Sequence, residues 1–144
     1  MKKIITHNQQ ETTALGFEIG KACLGGEVFA LSGDLGAGKT TFLQGLAKGL
    51  GVKIQVNSPT FNILKLYKTK AGSKVKEFCH IDSYRLTSGK DLENLGIKEF
   101  LDSSITVTAI EWAEKVKKVL PKKIISISIS HLTENKREIK IKKG

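Results

Sequence analysis

The chain has 144 residues, 40% of them apolar and 26% charged, with 24 basic side chains against 14 acidic ones. That is the length of a single domain, 1–144, with enough apolar content to build a core, which argues against wholesale disorder. No run approaches the roughly 20 apolar residues of a membrane span, and no apolar signal core follows the basic Met1-Lys2-Lys3, so a cytoplasmic protein without a membrane anchor is expected.

Cys23 and Cys79 lie far apart and form no CxxC pattern, so two reduced core thiols are expected rather than a metal or redox site. The net charge of +10 is unevenly spread. Residues 115–144 carry ten bases (Lys115, Lys117, Lys118, Lys122, Lys123, Lys136, Arg137, Lys140, Lys142 and Lys143) against Glu134 and Glu138. Such a face attracts phosphate polyanions. Lysines on an edge strand also block unwanted strand pairing, and composition leaves both readings open. Base-edge readout relies on arginine forks, and only two of the bases are arginines, so sequence-specific DNA binding is disfavoured. No aromatic RNA-stacking motif is present.

In chain order, Lys2–Thr6 reads as a short strand. Gln9–Leu24 reads as a helix, with Leu15, Ile19, Ala22 and Cys23 on one face and Gly25-Gly26 as its stop. Glu27–Ser32 is an apolar strand, Gly33–Gly38 a glycine-rich loop, and Lys39–Leu50 a helix ended by Gly51. Asn57-Ser58-Pro59-Thr60 is a turn. Phe61–Lys68 and Val75–Ile81 read as a hairpin turned at Gly72. Asp91–Leu101 holds one or two short helices broken at Gly96, Ile105–Ile110 is a β-branched strand, and Lys115–Leu120 a short basic helix stopped by Pro121. Ile124–Ser130 and Arg137–Ile141 close the chain as an antiparallel strand pair. The order predicts an α/β fold, a mixed sheet with helices on both faces and a closing antiparallel pair; the glycine-rich loop between strand and helix makes it P-loop NTPase-like.

The strongest motif is Gly33-Asp34-Leu35-Gly36-Ala37-Gly38-Lys39-Thr40, which matches GxxxxGK[ST]. Glycines let backbone N–H groups curl around a phosphate without side-chain clash. The helix that starts beyond Gly38 aims its positive end at the same phosphate. Lys39 can reach the β- and γ-phosphates, and the Thr40 hydroxyl can ligate Mg²⁺. A chance match in a chain this long is rare, and the flanking strand and helix are the right context. Nucleoside triphosphate binding follows. Such a site also needs a carboxylate beside Mg²⁺. Glu111, at the end of ITVTAI, and Asp82, after VKEFCHI, are the candidates, each weighed against a plain surface carboxylate at a strand end. Thr60 sits in a loop that can close on a γ-phosphate, or is a simple turn threonine. His80 has no metal-ligand cluster and reads as structural. His7 and His131 carry no signal, and Trp112 is either beside the site or a packing aromatic.

GDLGAGKTTF (Gly33–Phe42), SPTF (Ser58–Phe61), HIDSYRL (His80–Leu86), LENLGIKEF (Leu92–Phe100) and IEWAEK (Ile110–Lys115) together resemble the TsaE (YjeE) family, in order and spacing, over nearly the whole chain. The resemblance implies the ATPase component of bacterial tRNA threonylcarbamoyladenosine synthesis, working with the TsaB–TsaD complex, which would bring the tRNA, and hydrolysing ATP poorly alone. Carried over by position, it implies that Gly36–Thr41 wraps the phosphates of ATP and that Thr40 ligates Mg²⁺. It makes Glu111 the Walker B acid and Asp82 a second acid near the metal. Thr60 then belongs to a switch-like loop, and Trp112 lies beside the site. It also implies an adenine pocket near Asn8–Thr12, with Gln9 or Gln10 in it, and a basic contact at Arg137. Ser83 departs from the apolar residue usual in the family.

Two other classes remain open from the sequence. A small-molecule P-loop kinase fits the size and loop, but such kinases bring lid arginines, and this chain has only Arg85 and Arg137. A nucleotide sensor that does not hydrolyse would carry the same loop.

Overall fold

Asn8 starts the first helix by accepting, through its side-chain oxygen, the N–H of Glu11 at 2.8 Å, which satisfies one of the donors a helix start leaves unpaired. The computed structural model describes residues 1–34, 36–57 and 63–144. Its strands are β1 (Lys2–Thr6), β2 (Val28–Ser32), β3 (Leu64–Lys68), β4 (Glu77–Asp82), β5 (Thr106–Glu111), β6 (Ile125–His131) and β7 (Arg137–Lys143). Its α-helices are α1 (Gln9–Ala22), α2 (Lys39–Gly49), α3 (Lys90–Asn94) and α4 (Ile97–Leu101). Expected and observed elements agree within a few residues at each end.

All seven strands form one sheet in the order β1-β7-β6-β2-β5-β4-β3. The four central strands β6, β2, β5 and β4 are parallel, so their carboxyl ends share one edge. The hairpin partner β3 and the outer pair β7 and β1 run antiparallel to their neighbours. This is the mixed α/β sheet that the sequence predicts, with the antiparallel strand pair at its end.

Helices cover both faces. On one, Phe29, Leu31, Phe78, Val107 and Ile127 pack with Phe42, Leu43 and Leu46 of α2. On the other, Val28, Ala30, Cys79, Ile81 and Ile110 pack with Leu92, Ile97 and Val116. Cys79 is buried and Cys23 half-buried; neither is in a disulfide. Burial pushes both thiols up to about 12, which leaves them unreactive near neutral pH.

Two features depart from simple periodicity. The first is the contact between α1 and α2, which is built on glycines as well as on the Leu15–Ile19 face. A Cβ on Gly16 would collide with the Phe42 carbonyl, one on Gly20 with that of Leu46, one on Gly45 with that of Thr13, and one on Gly49 with that of Phe17. The two backbones therefore touch, and no larger residue fits between them. The second is the expected basic helix Lys115–Leu120. It is a 3-10 helix, Ala113–Val119, kinked at Val116 (φ −130°). Its three-residue repeat buries Ala113 and Val116 and keeps Lys117 and Lys118 at the surface. No helix among the described residues is long and apolar enough to cross a membrane.

Candidate functional site

The parallel register decides which side chains meet. Leu31, one residue before β2 ends, pairs with Glu111, and Glu111 pairs with Asp82. The glycine loop leaves β2 at the same edge. Two carboxylates on adjacent strands thus stand beside the loop, where ligands of open α/β sheets collect.

The loop's shape follows from its residues. Gly33 (φ +143°), Gly36 (+78°) and Gly38 (+108°) hold backbone conformations that side chains disfavour. A Cβ on Gly33 would also strike the Ile129 carbonyl. Asp34 is exposed, and its carbonyl accepts the Ala37 N–H at 3.1 Å, closing the turn. Gly38 is the N-cap of α2, and Thr40 and Thr41 follow Lys39 in its first turn. Among the described residues, no acidic side chain sits in that first turn, so the positive end of α2 is not neutralised from within its own helix. Leu35 and Thr60 lie outside the described residues.

Lys39 is 6% exposed. Its ammonium donates to the Gly33 carbonyl and, at 3.3 Å, to that of Asp34. It also lies 3.9 Å from the centre of the Trp112 ring. Burial lowers its pKa, while Glu111, Glu114, Asp82 and Asp34 pull the other way. Trp112 follows Glu111 with φ 57° and ψ 41°, the one described non-glycine residue in the left-handed region. The bend turns its ring over the loop lysine and against Tyr84, with ring centres 5.2 Å apart.

Glu111 is 3% exposed, so it is not a solvated strand-end carboxylate. Its Oε2 shares a 2.9 Å hydrogen bond with Nε2 of the fully buried His80. Asp82 is half-buried, and its Oδ1 accepts the Tyr84 N–H at 3.0 Å. Burial raises the Asp82 pKa, the Tyr84 N–H lowers it, and the neighbouring Glu111 charge raises it further. Ser83, the departure noted above, is fully buried, and among the described residues its Oγ has no hydrogen-bond partner. Its N–H donates to the Glu111 carbonyl at 3.1 Å, tying the two strand ends together.

The other wall comes from β6 and β7. Arg137 Nε donates to the Ala37 carbonyl at 2.9 Å, and its Nη1 donates to the carbonyls of Thr133, Glu134 and Lys136. His131 Nε2 lies 2.7 Å from the Gly36 carbonyl, a contact in which the ring nitrogen donates. Holding the Ala37 carbonyl turns the Gly38 N–H, on the opposite edge of that peptide, away from Arg137. A cavity of about 290 Å³ opens between this wall and α1, lined by Asn8, Gln9, Thr12, Gly36, Gly38, Thr41, Glu134, Asn135 and Arg137. Gln9 Nε2 donates to Thr41 Oγ1 at 3.5 Å; Gln10 does not line this cavity.

The structure therefore brings Gln9, Thr41 and Arg137 to one side of the loop and Lys39, Glu111, Asp82 and Trp112 to the other. His80 and His131 are the residues that sequence reasoning passed over. His80 lies inside an expected strand and His131 one residue past another, but only the strand order shows that β4 and β6 end beside the loop.

The sequence model of the family described as "Threonylcarbamoyl adenosine biosynthesis protein TsaE" matches residues 6–139. The "tRNA threonylcarbamoyladenosine biosynthesis protein TsaE" of Aquifex aeolicus is 39% identical over 98% of this chain and 96% of its own. That of Treponema pallidum is 35% identical over 96% of this chain and 98% of its own. That of Bacillus subtilis is 39% identical over 93% and 80%. A crystal structure of Bacillus subtilis YdiB superposes with a TM-score of 0.77 at 33% identity, covering 97% of this chain and 83% of that one. Sequence and fold agree over the same span: the chain belongs to the TsaE family of threonylcarbamoyladenosine biosynthesis proteins.

Proposed function

We propose that this chain binds ATP with Mg²⁺ at the Gly33–Thr41 loop and hydrolyses it in the service of the TsaB–TsaD complex, on a tRNA that the complex holds in the cytoplasm. The observation that carries the reading is the register that pairs Leu31, near the end of the loop strand, with Glu111 and Glu111 with Asp82, so that both carboxylates act on Lys39. The residues suit the ligand. Carboxylates and a threonine hydroxyl are the hard oxygen donors that Mg²⁺ takes alongside phosphates. The positive-φ glycines leave the backbone bare where phosphates would approach.

Bound Mg²⁺·ATP would supply the electrophilic γ-phosphorus and a divalent charge to offset that of the phosphates. The protein's part is positioning and charge. Lys39 exchanges its two carbonyl partners for phosphate oxygens. Thr40, Glu111 and Asp82 would hold the metal. Gln9, Asn8 and Arg137 line the cavity that would receive the nucleoside, and Thr60 is assigned to the loop closing over the γ-phosphate. Weak turnover in isolation is expected, since the sequence offers no recognised glutamine to orient the attacking water. A kinase is less well supported: the chain has two arginines for a phosphate-clamping lid, and the Arg137 guanidinium is spent on loop and turn carbonyls.

The test is ATP hydrolysis by the chain alone and with reconstituted TsaB–TsaD plus tRNA. Slow turnover that rises with the complex is expected. Tight ATP binding with no response to the complex would refute the coupling.

A further inference from the structure

The sequence reads His80 as structural, and it sits where the buried face of the sheet meets the site. It lies on β4 two residues before Asp82 and on the same sheet face as Phe78, whose ring is 6.1 Å away and nearly parallel. It is fully buried, and among the described residues its Nδ1 has no hydrogen-bond partner. Its Nε2 meets Glu111 Oε2 at 2.9 Å. A buried polar nitrogen without a partner costs free energy, so the ring is held here by what the other nitrogen does. Hydrophobic packing alone would be served better by leucine or phenylalanine.

We infer that His80 is a positioning residue for Glu111: its Nε2–H donates to Oε2, fixes the carboxylate rotamer and leaves Oε1 as the oxygen that would hold the metal. The inference rests on the reading of Glu111 as the metal-side acid. A buried carboxylate without this donor would be free to turn and would lose a charge-assisted hydrogen bond. Outer partners of this kind set ligand orientation, and their removal typically costs 10–100-fold in metal affinity or activity. Nδ1 agrees with this: among the described residues it meets no acceptor, whereas Nε2 faces the Glu111 carboxylate, so the proton belongs on Nε2.

The first experiment is a ¹⁵N imidazole spectrum of the intact, nucleotide-free chain. A proton on His80 Nε2 is expected; an Nε2 without a proton overturns the inference. The second compares His80→Gln, whose amide can donate from nearly the same position, with His80→Leu, which cannot donate. Both are read by the Mg²⁺ dependence of ATP binding and by single-turnover hydrolysis in the presence of TsaB–TsaD and tRNA. In His80→Leu the Mg²⁺ requirement should rise and the single-turnover rate fall by roughly tenfold to a hundredfold, with Mg²⁺-free ATP affinity unchanged. His80→Gln should restore most of both. If the leucine variant is too unstable to assay, the glutamine variant and the spectrum decide. A leucine variant with unchanged Mg²⁺ dependence and rate overturns the inference. So does a glutamine variant no better than leucine. Glu111→Gln separates the two levels: if it also leaves Mg²⁺ dependence unchanged, the metal-side reading of Glu111 fails; if it does not, only the role of His80 fails.

Discussion

The two walls of the site are made in opposite ways. The loop wall is local. Eight consecutive residues, Gly33 to Thr40, contain its glycines, its lysine and its hydroxyl, and the following helix supplies the field. The carboxylate wall is assembled from a distance. His80, Asp82 and Glu111 meet only because β4 and β5 run parallel in one register, and Trp112 reaches Lys39 only through a left-handed bend after β5. The contrast implies a division of labour. Damage to the loop wall should be felt in nucleotide affinity, and damage to the carboxylate wall in turnover.

Glu111→Gln breaks the carboxylate wall most directly. The amide keeps the size of the side chain but loses the charge that would face the metal. Hydrolysis in the presence of TsaB–TsaD and tRNA should fall by roughly 100–1000-fold, with ATP affinity by calorimetry within a few-fold of the parent. Equal losses of both would dissolve the division. Lys39→Ala breaks the other wall. A hydrogen bond to a charged group is worth about 1.5–3 kcal/mol, so ATP affinity should drop roughly 10–100-fold. Unchanged affinity in this variant would remove the loop from the site.

The same contrast explains what could be read from the sequence. The loop, its strand and helix, and the carboxylates at two strand ends were all legible, because each is marked by residues next to one another. The antiparallel closing strands were legible from their alternation. Partnerships set by topology were not. His131 looked featureless because nothing in ISISISH marks its contact with the Gly36 carbonyl. His80 looked structural because its partner lies 31 residues away. Glycines on the facing sides of α1 and α2 went unread because a helical pattern search counts apolar residues, and a glycine stripe is visible only as backbone contact. Thr60 and Leu35, read as site residues, fall outside the described residues.

Those glycines supply a third test, one of support rather than chemistry. In Gly45→Ala the new methyl would strike the Thr13 carbonyl, so α1 and α2 must part. The cost should be about 1–3 kcal/mol, as for other overpacked contacts, read as a lower denaturant midpoint with the slope unchanged. Because α2 carries Lys39 at its start, ATP affinity should fall with it. A variant as stable as the parent would show that the helices have room to slide.

The smallest effect concerns Asp82, and its sign is the informative part. Its folded pKa is raised, by burial first and by the Glu111 charge. A carboxyl raised on folding adds stability only below its ordinary range, and that contribution is lost as pH rises through the folded value. At neutral pH the ionised group is therefore a cost to the nucleotide-free protein. Asp82→Asn keeps an oxygen for the Tyr84 N–H and removes the charge, so the melting temperature at pH 7 should rise. Asp82 is half in solvent, so screening keeps the gain on the order of 1 °C. The gain should vanish as pH falls below about 4, where aspartate is protonated in either state. Mg²⁺·ATP should reverse the order, because a metal would draw on the very charge that the free protein tolerates at a cost. A variant that is less stable at pH 7 without nucleotide would mean that Asp82 serves the fold, and that the carboxylate wall rests on Glu111 alone.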